Sequence, residues 1–365
     1  MQRRQRVTRL FTAAAVAAGL IAAVGISPAG AAPKTAPKAK ALPATTLEGG
    51  GSTFIQGYVD QCRETFKKVQ PNLTVNYPNP GGGSGTGRKN FAAQLYQYAG
   101  TDAPFPPADL TTVKGGPFFY VPTVAAPITI SYNLSSVTKA LNLDAATLAK
   151  IFQGDITTWN DPAIAALNKR VKLPDTKITI ARRSDSSGTT QNFTTYLSGA
   201  AGSIWRLGIF NTQDAWAAVP NTQGGAGNPG VSTIIKGTDG AIGYVDFSDA
   251  VASSLQFASI QNASNKFITP SVPAAAAALQ GVAIAADGLY NPLNSPNPGA
   301  YPITAPTWIL VYQKYADANQ AAAVQAWAEY LIGACQKQAK SVDYATIPKA
   351  WVQQTQAKLQ TITSG

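Results

Sequence analysis

The sequence predicts an α/β fold with open, mostly parallel sheets. Three observations predict it. Strand-like and helix-like segments alternate along most of the chain, which argues for strands crossing over through helices. The composition is 45% hydrophobic and 13% charged, the balance of a globular protein with a real core. Loops rich in Gly, Ser and Thr recur just ahead of helical segments, where open α/β sheets place their ligands. The 365 residues suffice for one large or two medium domains.

Taken in order, the chain opens with "MQRRQRVTR", an apolar run "LFTAAAVAAGLIAAVGI" and a small-residue site "AGA". This is the layout of a signal peptide over residues 1–31, and the run is short for a membrane span. No cysteine ends the apolar run, so a lipid anchor is not indicated. The expected location is outside the cytoplasm, at the cell envelope or beyond. Removing Arg3, Arg4, Arg6 and Arg9 takes the formal net charge from +11 to +7. Residues 32–46 form a Pro/Ala/Lys-rich spacer. The remaining surplus suits anionic ligands. No dense basic cluster alternates with aromatics, so no nucleic-acid partner is expected.

Next come a strand and glycine turn in "TTLEGGGSTF", a helix in "IQGYVDQCRETFKKV", a strand in "LTVNY", the loop "GGGSGTG" and a helix in "RKNFAAQLYQY". The long run "FFYVPTVAAPITISYNL" reads as strand. "DAATLAKIFQG" and "AIAALNKR" read as helices, "KITIARR" as strand, "SDSSGTT" as loop and "QNFTTYLSG" as helix. "AIGYVDF" and "YPITAPTWILVYQ" are strands, and "NQAAAVQAWAEYLIGACQKQA" is a long amphipathic helix. The segment around "VPAAAAAL" reads as a helix with no assigned role.

Two absences narrow the chemistry. The chain has no histidine, which removes Ser-His-Asp and Cys-His nucleophiles and His-ligated metals. Its two cysteines, Cys62 and Cys335, are too few for a zinc site. In an exported protein such a pair reads as one disulfide, with two buried thiols as the alternative. No metal or organic cofactor is expected.

The loop "GGGSGTG" (81–87) does not complete a nucleotide-binding motif. Gly82 and Gly87 have the Walker A separation, but Arg88, Lys89 and Asn90 stand where Lys and Ser/Thr belong. A simpler account joins it to "GGGSTF" (49–54) and "SDSSGTT" (184–190). Each places hydroxyls and glycines before a helix start, where free N–H groups and the positive dipole end favour an anion. Each taken singly is explained as an N-cap with a glycine turn. Together they supply the converging donors that a compact oxyanion needs. Asp102, in "AGTDAPF", is of opposite character. A carboxylate repels a bound anion unless that anion has a proton to donate. Phosphate keeps one near neutral pH and sulfate does not, so such an acceptor selects phosphate. Asp185 reads as a partner for Arg183 or as a helix cap.

"GGGSTF", "GGGSGTG", "AGTDAP", "FQGDITTWNDPAIAALN", "ARRSDSSGTT", "GAIGYVDF" and "YPITAPTWIL" occur in the order seen in PstS-type phosphate-binding proteins. These are the extracytoplasmic receptors of the high-affinity phosphate ABC transporter. The resemblance covers roughly residues 47 to 350, and "GGGSTF" also resembles the DING branch of that superfamily. It implies a two-lobed periplasmic-binding-protein-like fold (type II) of two open sheets flanked by helices and joined by a two-strand hinge. Lobe I then holds residues 45–124 with 303–365, and lobe II holds 125–302. The block 47–124 begins lobe I proper.

By the same resemblance the phosphate-binding residues are Thr53, Phe54, Ser84, Asp102, Arg183, Asp185, Ser187, Gly188 and Thr189. Asp102 is the acceptor for the phosphate proton, Arg183 is the guanidinium on the ion, and Asp185 steadies it. Phe54 gives a backbone N–H. A disulfide between Cys62 and Cys335 falls within lobe I. The implied partners are inorganic phosphate and a membrane ABC permease, and the protein acts as a monomer without catalysis. The alternatives are a secreted phosphate scavenger without a transporter and an exported phosphatase. The phosphatase has no histidine and no carboxylate-rich metal cluster to draw on.

Overall fold

The computed structural model describes residues 41–78 and 82–365. The expected signal peptide (1–31), residues 32–40 of the spacer and Gly81 lie outside the described residues. The principal elements are β1 (Thr45–Gly51), α1 (Gln56–Phe66), β2 (Leu73–Asn76), α2 (Gly83–Ala92), β3 (Tyr98–Thr101) and β4 (Phe118–Tyr132). They continue with β5 (Thr179–Arg183), α3 (Gly188–Ala200), β6 (Thr222–Gly225), α4 (Gly227–Gly237), β7 (Ala241–Asp246), α5 (Phe247–Ala252), β8 (Thr304–Tyr312) and α6 (Ala318–Ile332).

The main path of a ten-stranded sheet runs β2-β1-β3-β8-β4-β7-β5-β6. β1 is parallel to β2 and β3, and β5 is parallel to β6 and β7. β8 is antiparallel to both β3 and β4, and β4 is antiparallel to β7. The sheet is therefore mixed, where the sequence suggested mostly parallel pairing. The cause is β8, which returns from far along the chain and enters between β3 and β4 against their direction.

β4 changes partner midway. Its residues from Phe118 to Pro127 lie against β8, and those from Ile128 to Tyr132 lie against β7. The two expected sheets are thus one continuous sheet through β4. All residues from Tyr120 to Tyr132 are buried, as the run of Val, Ala, Ile and Thr requires in a strand covered on both faces. Trp308 on β8 is buried and donates its indole N–H to the Gly288 carbonyl at 2.9 Å, which satisfies the polar atom of a large core residue.

Helix bounds depart from the sequence reading in three places. α2 starts at Gly83, inside the stretch read as a loop, and ends at Ala92. It stops there because Gln94 takes a left-handed φ of 64°, and Tyr98 then enters β3. α3 begins at Gly188 because the Ser187 hydroxyl caps it by accepting the Thr190 N–H at 3.1 Å. The long C-terminal helix breaks at Gly333, and Ala334–Val342 continues as 3₁₀ turns. Cys335 lies in those turns and is bonded to Cys62 of α1, with Cα atoms 5.7 Å apart. Among the described residues no helix is long and apolar enough to cross a membrane.

Candidate functional site

The parallel pair β1 and β3 runs opposite to the parallel pair β5 and β6 across β8, β4 and β7, and each of the four strands delivers polar residues at its carboxyl end, where the two sets meet. β1 leads to Ser52, Thr53 and Phe54, β3 to Asp102, β5 to Arg183 and Asp185, and β6 to Gly227 and Asn228. The helices α2, α3 and α4 start in the same region and bring Ser84, Gly188 and Thr189. Two glycines allow the segments to approach closely. A Cβ on Gly83 would lie 2.2 Å from Asp185 Oδ2, and one on Gly188 would lie 2.6 Å from Ser84 Oγ.

Asp102 is buried and its carboxylate is held by hydroxyls. Ser52 Oγ donates to Oδ1 at 2.5 Å, and Ser84 Oγ donates to Oδ2 at 3.0 Å. Ser84 Oγ also accepts the Asp102 N–H at 3.2 Å. The Asp102 carbonyl accepts Asn192 Nδ2–H at 2.6 Å, and that amide also donates to the Gly188 carbonyl at 3.0 Å. Burial pushes the Asp102 carboxyl up to about 6, against the opposing pull of Ser52, Ser84, Arg183 and Arg88. Near neutral pH it is therefore mostly ionised.

Arg183 is 1% exposed and its fork faces Asp185. Nε donates to Asp185 Oδ1 at 2.7 Å, and Nη2 is paired with Oδ2. Nη1 reaches Thr189 Oγ1 at 3.4 Å. The Arg183 N–H donates to the Tyr244 hydroxyl at 3.1 Å, and that hydroxyl is 2.7 Å from Thr190 Oγ1. Asp185 Oδ1 also accepts the Gly227 N–H at 3.1 Å. Asp185 thus orients the guanidinium and ties the start of α4 to it.

Three hydroxyls have lone pairs occupied by N–H donors. Thr53 Oγ1 accepts from Asn228 N at 3.1 Å and from Asn228 Nδ2 at 3.2 Å. Thr189 Oγ1 accepts from Arg183 and from Asn228 Nδ2 at 3.3 Å. Ser187 Oγ accepts from Thr190 N. A hydroxyl that accepts in this way keeps its proton for another acceptor. Ser84 differs, because its proton is directed at Asp102. The Phe54 N–H donates to Ser52 Oγ at 3.0 Å. Of the nine residues expected at the site, all stand within this connected group, with Asp185 acting through Arg183.

Sequence reading missed Ser52, Asn192, Asn228 and Tyr244. Ser52 sits beside Thr53 in the same quoted motif and was legible there as a hydroxyl. Asn228 was announced only by "GNPG", an Asn before a helix-start Pro inside a glycine-rich stretch. It is fully buried, and its Oδ1 makes no hydrogen bond to a described residue. Asn192 and Tyr244 lie on a helix and a strand, where nothing in the sequence separates them from core residues. Among the described residues no cluster of three or more metal-ligating side chains occurs.

The strand-end donor set and the sheet order define a binding protein of the PBP superfamily domain class, whose family profile matches residues 36–334. The chain belongs to the PstS family of phosphate-binding proteins. It is 35% identical over 328 residues to "Phosphate-binding protein PstS 2" of Mycobacterium tuberculosis, covering 86% of this chain and 85% of that protein. It is 32% identical over 327 residues to "Phosphate-binding protein PstS" of Xylella fastidiosa, covering 88% and 87%. A solved phosphate-binding protein from Stenotrophomonas maltophilia shares the fold at TM-score 0.68 and 21% identity, covering 86% of this chain and 94% of that one. The PfluDING structure, a high affinity periplasmic phosphate-binding protein bound with phosphate, shares it at TM-score 0.67 and 22% identity, covering 86% and 93%.

Proposed function

We propose that the protein binds inorganic phosphate among these segments and delivers it to a membrane ABC permease, without catalysis. Lobe I would hold residues 45–124 with 303–365 and lobe II residues 125–302, with β4 and β8 as the hinge. The change of partner along β4 supports that division, because the strand leaves β8 and joins β7 near Pro127. The names of the PstS relatives support both the ligand and the transporter.

One observation carries the reading: a buried carboxylate, Asp102, beside a set of donors. Thr53, Ser187 and Thr189 offer hydroxyl protons, Arg183 offers its charge and helix starts offer N–H groups. Such a set takes an oxyanion stripped of water. Asp102 would accept the proton that monohydrogen phosphate carries. A fully ionised sulfate would face the carboxylate with no proton between them, at a large cost inside a buried site. No residue of this group is placed as an activated nucleophile, and the described residues offer no metal cluster for hydrolysis.

Calorimetry with phosphate and sulfate tests this. Wild-type protein should bind phosphate tightly and sulfate weakly, and Asp102→Asn should narrow the gap by roughly 10²-fold or more. Equal affinity of the wild type for the two anions would overturn the reading.

A further inference from the structure

A basic cavity lies along α2. It has a volume of about 700 Å³ and is lined by Arg88, Lys89, Lys114, Asp109, Thr86 and Ser186 among others. That volume is within the roughly 300–1,000 Å³ of small-molecule sites. The three cations face one carboxylate, and none of the three makes an ion pair among the described residues. Lys89 and Lys114 are exposed, whereas Arg88 is 4% exposed. Arg88 Nη1 is fixed by Thr101 Oγ1 and by the Ala103 carbonyl, each at 3.1 Å. Its direct hydrogen-bond partners are neutral, and the nearby Asp102 and Asp109 carboxylates act on it only through space, so its charge is not consumed by a direct ion pair.

We infer that this cavity binds a polyvalent oxyanion, separate from the phosphate proposed at Asp102. Arg88 supplies a fixed fork at the base, and the two lysines supply mobile charge at the rim. The cavity shares its wall with the inner site: Gly85 N donates to the Ser186 carbonyl at 3.0 Å, and Ser84 and Ser187 are their immediate neighbours. The inner site is lined by hydroxyls, one arginine and a carboxylate that demands a proton. The basic cavity has a surplus of two positive charges and suits an anion whose negative groups are closely spaced along a chain.

Tripolyphosphate is the probe. It is titrated calorimetrically into the full-length mature protein, with and without saturating inorganic phosphate. We expect a binding event that persists under saturating phosphate and weakens steeply with salt. The double variant Lys89→Ala/Lys114→Ala should weaken it at least tenfold and leave the inorganic phosphate titration unchanged. No heat under saturating phosphate, or the same tripolyphosphate affinity in the double variant, would overturn the inference. A protein that failed to bind inorganic phosphate would overturn the proposed function instead, and the variant comparison with tripolyphosphate would still decide this one.

Discussion

Ser52 Oγ lies 2.5 Å from Asp102 Oδ1, and this contact opposes the upward pull of burial on the carboxyl. The hydroxyl favours the ionised form, so removing it raises the pKa further above about 6. Asp102 accepts a proton only when ionised, and it loses that capacity as pH falls through its pKa. In wild-type protein the preference for phosphate over sulfate should therefore decline as pH falls through about 6. In Ser52→Ala the decline should begin at higher pH. Competition titrations between pH 5 and 8 read the shift, and superimposable profiles would count against the role of this hydroxyl.

The fork between Arg183 and Asp185 carries a stability prediction. Arg183 is almost wholly buried, and Asp185 retains 18% side-chain exposure. Asp185→Asn leaves the guanidinium buried without its counter-charge, which costs about 3 kcal/mol for a pair of this kind. Thermal unfolding at neutral pH should show a clear fall in Tm. Added phosphate should restore part of it, because the anion supplies the missing charge.

Gly188 is a position where shape matters more than charge. A Cβ there would sit 2.6 Å from Ser84 Oγ and 2.9 Å from Asp102 Oδ2. As the first residue of α3, alanine favours the helix by up to about 1 kcal/mol. The clash outweighs that gain, so Gly188→Ala should lower Tm by a few degrees while holding α2 and α3 apart. Phosphate affinity should fall at least tenfold by calorimetry, and an unchanged affinity would show that the two segments need not meet.

The Cys62–Cys335 bond spans 273 residues of sequence. A crosslink that closes so long a loop contributes about 2–5 kcal/mol, chiefly by restricting the unfolded chain. Replacing both cysteines with alanine should lower Tm by several degrees. Phosphate affinity should be unaffected, since neither cysteine takes part in the hydrogen bonds around Asp102 and Arg183. A drop in affinity at a temperature where the variant is fully folded would contradict that separation.

Much of the site was legible in the chain because its chemistry is local. The hydroxyls of "GGGSTF" and "SDSSGTT" stand next to helix starts, and the free N–H groups of a helix start follow from backbone geometry alone. Arg183 and Asp185 are two residues apart, so their pairing is a short-range matter. The signal-like start and the absence of histidine are likewise properties of the sequence. They set the expectations for location and chemistry without any contact being known.

Other features were decided only by the tertiary structure, because they depend on residues far apart in sequence. Asn228 bonds to Thr53 across 175 positions and Ser52 meets Asp102 across 50, and no periodicity encodes either meeting. The mixed sheet follows from where β8 inserts between β3 and β4, a long-range pairing that local propensity does not settle. The upward pull on Asp102 is of the same kind. A carboxyl acquires it from the removal of water, and which side chains remove that water is fixed only once the strands have assembled.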